Sequence, residues 1–203
     1  ARFVINFLGL SYLMTVAIYP YRLLRLVHEG IYGPIHQAED TSTSQLIALQ
    51  LFTKAKVRTE SATPVLEAQT LTLSKLLLPK VRRPLVVGQF PDTGPYIAWE
   101  WSDAQPLKAP LTAPLHAITI AQQLAVVLEN CHQHGIFHGF LRPSQILVNR
   151  ERGRPELHAV LGIGVQQALG LPTNTLSADV MAFLAPELHN GSALAHSAAD
   201  VYS

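Results

Sequence analysis

Cys131, His132, His134 and His138 bring a thiol and three imidazoles, the side chains that most often hold zinc, into a short stretch of chain. The spacing argues against such a site. Tetrahedral zinc draws on separated pairs, and His132 and His134 fall on different sides of a helix end. Gly30 and Gly33, with two residues between them in His28-Glu29-Gly30-Ile31-Tyr32-Gly33, suit a tight hairpin turn. Lys80, Arg82 and Arg83 form a small basic run, which reads as a solvated loop. Trp99 and Trp101 alternate along one strand, so they are expected on opposite faces and not in one pocket, at least one of them packing as core or interface.

The elements that carry these residues belong to a chain of 203 residues, 48% hydrophobic and only 14% charged, against about 25% charged in an ordinary soluble domain. Such a composition excludes disorder, collagen and coiled coil. A formal charge of +1 provides no field for nucleic acid, which is not expected as a partner. A lone cysteine, Cys131, excludes an internal disulfide and fits a reducing, cytoplasmic setting. The sequence starts at Ala1 and stops at Ser203 inside what reads as an unfinished helix, so it is taken as a piece of a longer protein.

Phe3 to Tyr19 is an uncharged apolar run of 17 residues followed by Arg22 and Arg25. It is at the lower limit of a spanning helix, about 17 residues. Two readings stay open: a membrane tether with the rest of the chain on the cytoplasmic face, or a buried core helix. A cleavable signal peptide does not fit, because the basic residues follow the apolar run.

Three antiparallel strands are expected over Leu23–Leu51, with Asp40 to Ser44 as a polar tip. Val65 to Leu78 places Leu66, Leu73, Leu76 and Leu77 near helical spacing, Pro64 starting the helix and Pro79 ending it. Leu85–Phe90 and Tyr96–Trp101 flank a turn at Pro91-Asp92-Thr93-Gly94-Pro95 and add two strands. Pro106, Pro110 and Pro114 mark a connector to a long helix, Ala117 to His134, whose apolar face runs through Leu124, Val127, Leu128 and Cys131. Ile146–Val148 and Leu157–Leu161 read as a hairpin about Arg152-Gly153-Arg154, and Leu169–Ser177 as an irregular loop. The parts are thus an apolar segment 1–20, a small lobe 21–101 and a helical lobe 102–203.

In this order the landmarks resemble the protein kinase family, nearest to the bacterial relatives of the eukaryotic serine/threonine kinases. His28-x-Gly30-x-x-Gly33-x-Ile35 is similar to the glycine-rich loop, Ile47-Ala48-Leu49-Gln50 to Val-Ala-Ile-Lys, and Glu67 to the glutamate of the small-lobe helix. His138-Gly139-Phe140-Leu141-Arg142-Pro143-Ser144-Gln145-Ile146-Leu147 resembles the catalytic loop and aligns without a gap. Gly162-Ile163-Gly164 stands where Asp-Phe-Gly would, Ala185-Pro186-Glu187 matches its motif, and Asp200-Val201-Tyr202-Ser203 resembles the start of the central helix of the large lobe. The resemblance implies a two-lobed protein-kinase-like α+β fold: a five-stranded antiparallel small lobe with one main helix, then an incomplete, mainly helical large lobe. Leu71 and Ile163 would keep the family's apolar spine.

The resemblance also implies a degenerate active site. Gln50 replaces the phosphate-holding lysine and could hydrogen-bond to Glu67; Phe140 replaces the catalytic aspartate; Gln145 and Gly162 replace the two metal ligands. Gly139 replaces the arginine that anchors a phosphorylated loop, leaving Thr173, Thr175 or Ser177 without that partner. The nucleotide pocket, weakened or lost, would comprise Gly30, Gly33, Ala48, Gln50, Trp99, Glu100 and Trp101, with Trp99 as a bulky gatekeeper and His28 hindering backbone approach to phosphate. No metal and no cofactor are expected, ATP without magnesium being the one exception left open. The expectation is therefore a pseudokinase, not an enzyme, acting as a regulatory or scaffolding module that binds a protein partner. The alternative is an atypical ATP-dependent serine/threonine kinase with weak residual phosphotransfer supported by Arg142 or Gln145.

Overall fold

The computed structural model describes residues 17–18, 20–53, 59–91, 94–107, 113–151, 154–170, 176, 178–189 and 196–203. Alternating side chains and glycine or proline punctuation make an antiparallel sheet of β2 (Tyr21–Gly30), β3 (Gly33–Asp40), β4 (Gln45–Leu51), β5 (Pro84–Phe90) and β6 (Gly94–Glu100). The spatial order is β2-β3-β4-β6-β5, and a two-residue strand, β1 (Ala17–Ile18), lies against the free edge of β2. The five expected strands are all present. The end of the apolar segment is thus strand, not helix, while residues 3–16 lie outside the described residues. Among the described residues no helix is long and apolar enough to cross a membrane.

Two register shifts interrupt β2, between Leu23 and Arg25 and between Leu26 and His28. Each moves the strand out of strict alternation, which is why the successive residues Leu26 and Val27 are both exposed and the successive residues Val27 and His28 both line the cavity beneath the sheet.

Helix α1 (Thr59–Leu76) lies between β4 and β5 in sequence. It begins before the expected start, so Pro64 sits inside its second turn. Ala62, Leu66 and Leu73 form the buried face, and Leu71 is exposed. The spine position assigned to Leu71 therefore belongs to Leu73, which joins Ile163 in one core cluster.

After the linker Trp101–Ala104, β7 (Gln105–Pro106), β8 (Ile146–Glu151) and β9 (Arg154–Val160) form a second, three-stranded sheet. Pro114 occupies the first turn of α2 (Pro114–His132), where its missing N–H costs nothing. The expected face of α2 is buried: Val127, Leu128 and Cys131 pack with Ile146, Val148 and Leu157. Three short helices follow, α3 (Val165–Leu169), α4 (Ala178–Met181) and α5 (Ser197–Tyr202). Helix α3 takes up the first residue of the expected loop, of which 171–175 and 177 lie outside the described residues.

Candidate functional site

The segment after α2 is held by one carboxylate. Asp200, its side chain wholly buried, accepts hydrogen bonds from His138 N at 2.9 Å, from Gly139 N, and from His132 Nε2 at 2.8 Å. Gly139 turns there with φ +78°, a conformation open to glycine. His138 Nδ1 accepts from Phe140 N at 3.2 Å, which fixes the proton on Nε2, and Nε2–H donates to Leu161 O at 3.0 Å. Burial holds the His138 ring well below the usual imidazole pKa, and the Asp200 carboxylate only partly opposes this. The imidazole is therefore a neutral brace between two loops.

These contacts also dispose of the zinc reading. His132 and His138 are engaged as described, His134 Nδ1 donates to Asn130 O at 2.8 Å, and burial pushes the Cys131 thiol up to about 11.

Between the small-lobe sheet and the braced loops lies a cavity of about 260 Å³. Ile35 and Ala48 contribute from the sheet and Leu147 from β8, an apolar slot suited to a flat ring. Gly30, Gln50, Trp99, Trp101, Phe140, Arg142, Gln145 and Gly162 all line it, as sequence reasoning places them. Trp101 joins Trp99 in this one cavity, contrary to the expectation of opposite faces, because β6 ends at Glu100 and the chain turns beyond it. The indole N–H of Trp99 donates to Gln50 Oε1 at 3.3 Å across the paired strands β4 and β6.

Three assigned residues lie elsewhere. Glu67 is exposed and makes no bond to Gln50. Residues of a helix advance about 100° each, so the residue two positions on, Gln69, is the one that reaches the loop: its side chain occupies the space a Cβ on Gly164 would need. Glu100 points away from the cleft to an ion pair with Arg83. Gly33 serves the hairpin, its position crowded by the Leu51 carbonyl.

Phe140 is buried against Leu184, Ala185 and Leu188, and the Arg142 guanidinium carbon lies 5.0 Å above its ring centroid. An aromatic–cation stack thus occupies the position where the resemblance would put a catalytic carboxylate. The magnesium that the family employs does not fit the residues present. Gly162 has no donor and turns with φ +76°, Gln145 supplies one amide, and among the described residues no three His, Cys, Asp or Glu side chains converge on a metal position.

Sequence reasoning missed Arg82, which leaves the basic run and is buried at 6% exposure, lining the cavity. The bridge between Val81 and Val160 draws it inward, a long-range pairing that no local pattern announces. Tyr32, at the tip of the β2–β3 hairpin, was missed too: its hydroxyl donates to Gly170 O at 2.6 Å.

No family model matches the chain. It is similar, at 24% identity over 90% of its length, to cyclin-dependent kinase B1-1 of Arabidopsis thaliana, covering 65% of that protein. At 26% identity over 91% of its length it is similar to serine/threonine-protein kinase PknD of Mycobacterium tuberculosis, covering 28% of it, and to serine/threonine-protein kinase pkn3 of Myxococcus xanthus, covering 36%. The chain thus spans from just over a quarter to just under two thirds of these relatives. The fold is protein-kinase-like α+β, with plant and bacterial relatives alike. The expectation that the chain is not an enzyme is overturned: its relatives are named protein kinases and point to one. Counting replaced side chains at single positions misjudged a likeness that extends along nine tenths of the sequence.

Proposed function

We propose that the chain is the nucleotide-binding part of an atypical serine/threonine protein kinase with slow phosphotransfer. The observation that carries this reading is the cleft, in which an apolar slot lies beside the loop braced by Asp200 and His138. Phosphoryl transfer demands positioning and charge stabilisation more than covalent chemistry from the protein. Guanidinium groups can stabilise the spreading charge, and Arg142 stands on the braced loop beside the cavity. The similarity to serine/threonine kinases supports the substrate class, a protein hydroxyl.

The test is transfer of labelled γ-phosphate from ATP to a generic protein acceptor or to the chain itself. Turnover lost in Arg142→Ala is the expected result; nucleotide binding without turnover would remove the phosphotransfer part. A second reading, regulatory or scaffolding engagement of a protein partner by the same domain, is favoured by the uncharged side chains Phe140, Gln145 and Gly162 at the reacting positions. The two part on whether label appears on a protein.

A further inference from the structure

The charge of the cleft is one-sided. Arg25, Arg82 and Arg142 line it, and Asp103 is the one carboxylate among its described residues; the imidazoles of His28 and His138, whose pKa burial lowers, add no opposing charge. Asp103 is engaged by the Trp101 indole N–H at 2.9 Å. Arg82 is 94% buried, counted as the complement of its 6% exposure, and its Nε meets no acceptor among the described residues. Burial drags its pKa down to about 10, with Glu100 too weak to restore it. The neighbouring Glu100 carboxylate bonds to Arg83 instead. A buried N–H lacking an acceptor is costly in a folded protein. His28 Nε2, Gln145 Oε1 and Gln166 Oε1 are likewise buried without partners, and all three residues line the same cavity.

Donors without acceptors and acceptors without donors around one cavity describe a polar anionic ligand that also bears hydroxyl or amino groups. Resting on the nucleotide-binding reading above, we propose that the cleft takes a nucleoside polyphosphate free of divalent cation, its negative charge met by the guanidinium groups of Arg82 and Arg142 in place of a metal. The apolar slot of Ile35, Ala48 and Leu147 receives the base. Gln145 Oε1 and Gln166 Oε1 accept from the ligand's hydroxyl or amino groups.

Thermal unfolding and calorimetric titration of the full chain test this, with ATP in excess EDTA, ATP with Mg²⁺, and adenosine as the uncharged comparison. ATP in EDTA should stabilise the chain at least as well as ATP with Mg²⁺ and bind at least tenfold more tightly than adenosine. Arg82→Met should raise the ligand-free midpoint, since a buried charge is replaced by a hydrophobic chain of similar length, and should weaken ATP in EDTA at least tenfold. Arg83→Met, which removes a surface ion pair, should leave that affinity unchanged. Should Arg82→Met fail to fold, Arg82 is structural and the proposal falls. Rising salt should weaken native binding of ATP in EDTA, and an unchanged affinity would also overturn the proposal. Stabilisation only in the presence of Mg²⁺, or adenosine as tight as ATP, removes this inference and keeps nucleotide binding. No response to any of the three removes both.

Discussion

Replacing Asp200 by alanine should loosen the loop from His138 to Gln145 more than any other single polar change in the large lobe. The carboxylate accepts from two backbone N–H groups, His138 N and Gly139 N, and from His132 Nε2. Its side chain has no exposed surface, so water does not replace it. Two buried backbone donors left unsatisfied, at about 1–3 kcal/mol each, give a loss of about 4 kcal/mol. For a chain of this length each kcal/mol moves the thermal midpoint by about 2–4 °C, so Asp200→Ala should unfold about 8–16 °C lower by circular dichroism. Asp200→Asn keeps one acceptor oxygen and should lose about half as much. Hydrogen exchange should show the loss centred on the amides of His138 and Gly139. A midpoint for Asp200→Ala within 2 °C of the native chain, or protection unchanged at those amides, would refute the reasoning.

Stability should fall on acidification. His138 is held neutral by burial, and its folded pKa lies below the unfolded value of about 6.5, so the unfolded chain binds the proton first and stability drops as pH falls below about 6.5. The slope for His138 should approach 1.4 kcal/mol per pH unit, read from urea midpoints between pH 7 and 5; a flat profile would contradict the buried neutral ring. Tyr32→Phe should cost about 1 kcal/mol through loss of the bond to Gly170 O, with amides of residues 165–170 exchanging about fivefold faster; unchanged exchange would show that the bond restrains nothing. Gly162→Asp adds a carboxylate whose Cβ lies 3.3 Å from Gln145 Nε2, in a backbone at φ +76°. It should cost about 1–2 kcal/mol of stability through strain and make ATP binding rise with Mg²⁺, an effect absent from the native chain when both are titrated in parallel.

The small lobe was largely legible because its strands announce themselves by alternation and by glycine and proline at the turns. The run from His138 to Leu147 was legible because it aligns without a gap, and Phe140, Arg142 and Gln145 all lie at the cleft. Helix α1 was legible in part: spacing marks Leu66 and Leu73, which are buried, while the resemblance set its glutamate and spine leucine at Glu67 and Leu71, which are exposed. Pro64 suggested a start, yet the helix begins at Thr59, and where helical spacing marked Leu73 the resemblance put the spine at Leu71. Packing chose Leu73, and with it Gln69 rather than Glu67. Arg82 was beyond local reasoning: in sequence it matches Arg83, and only the approach of Val81 to Val160 sends one inward and leaves the other at the surface.

The Tyr32–Gly170 hydrogen bond has a mechanical consequence. The sheet and α1 are tied to the large lobe covalently through Trp101–Ala104, by the bridge of Val81 to Val160, by the packing of Leu73 in one cluster with Ile163, and, at the tip of the β2–β3 hairpin, by this bond. Apolar packing lets surfaces slide, whereas a hydrogen bond weakens steeply once it is bent. Breathing of the cleft should therefore leave the hairpin tip held against sideways slip over the end of α3, and severing the bond would free that slide before it widened the gap.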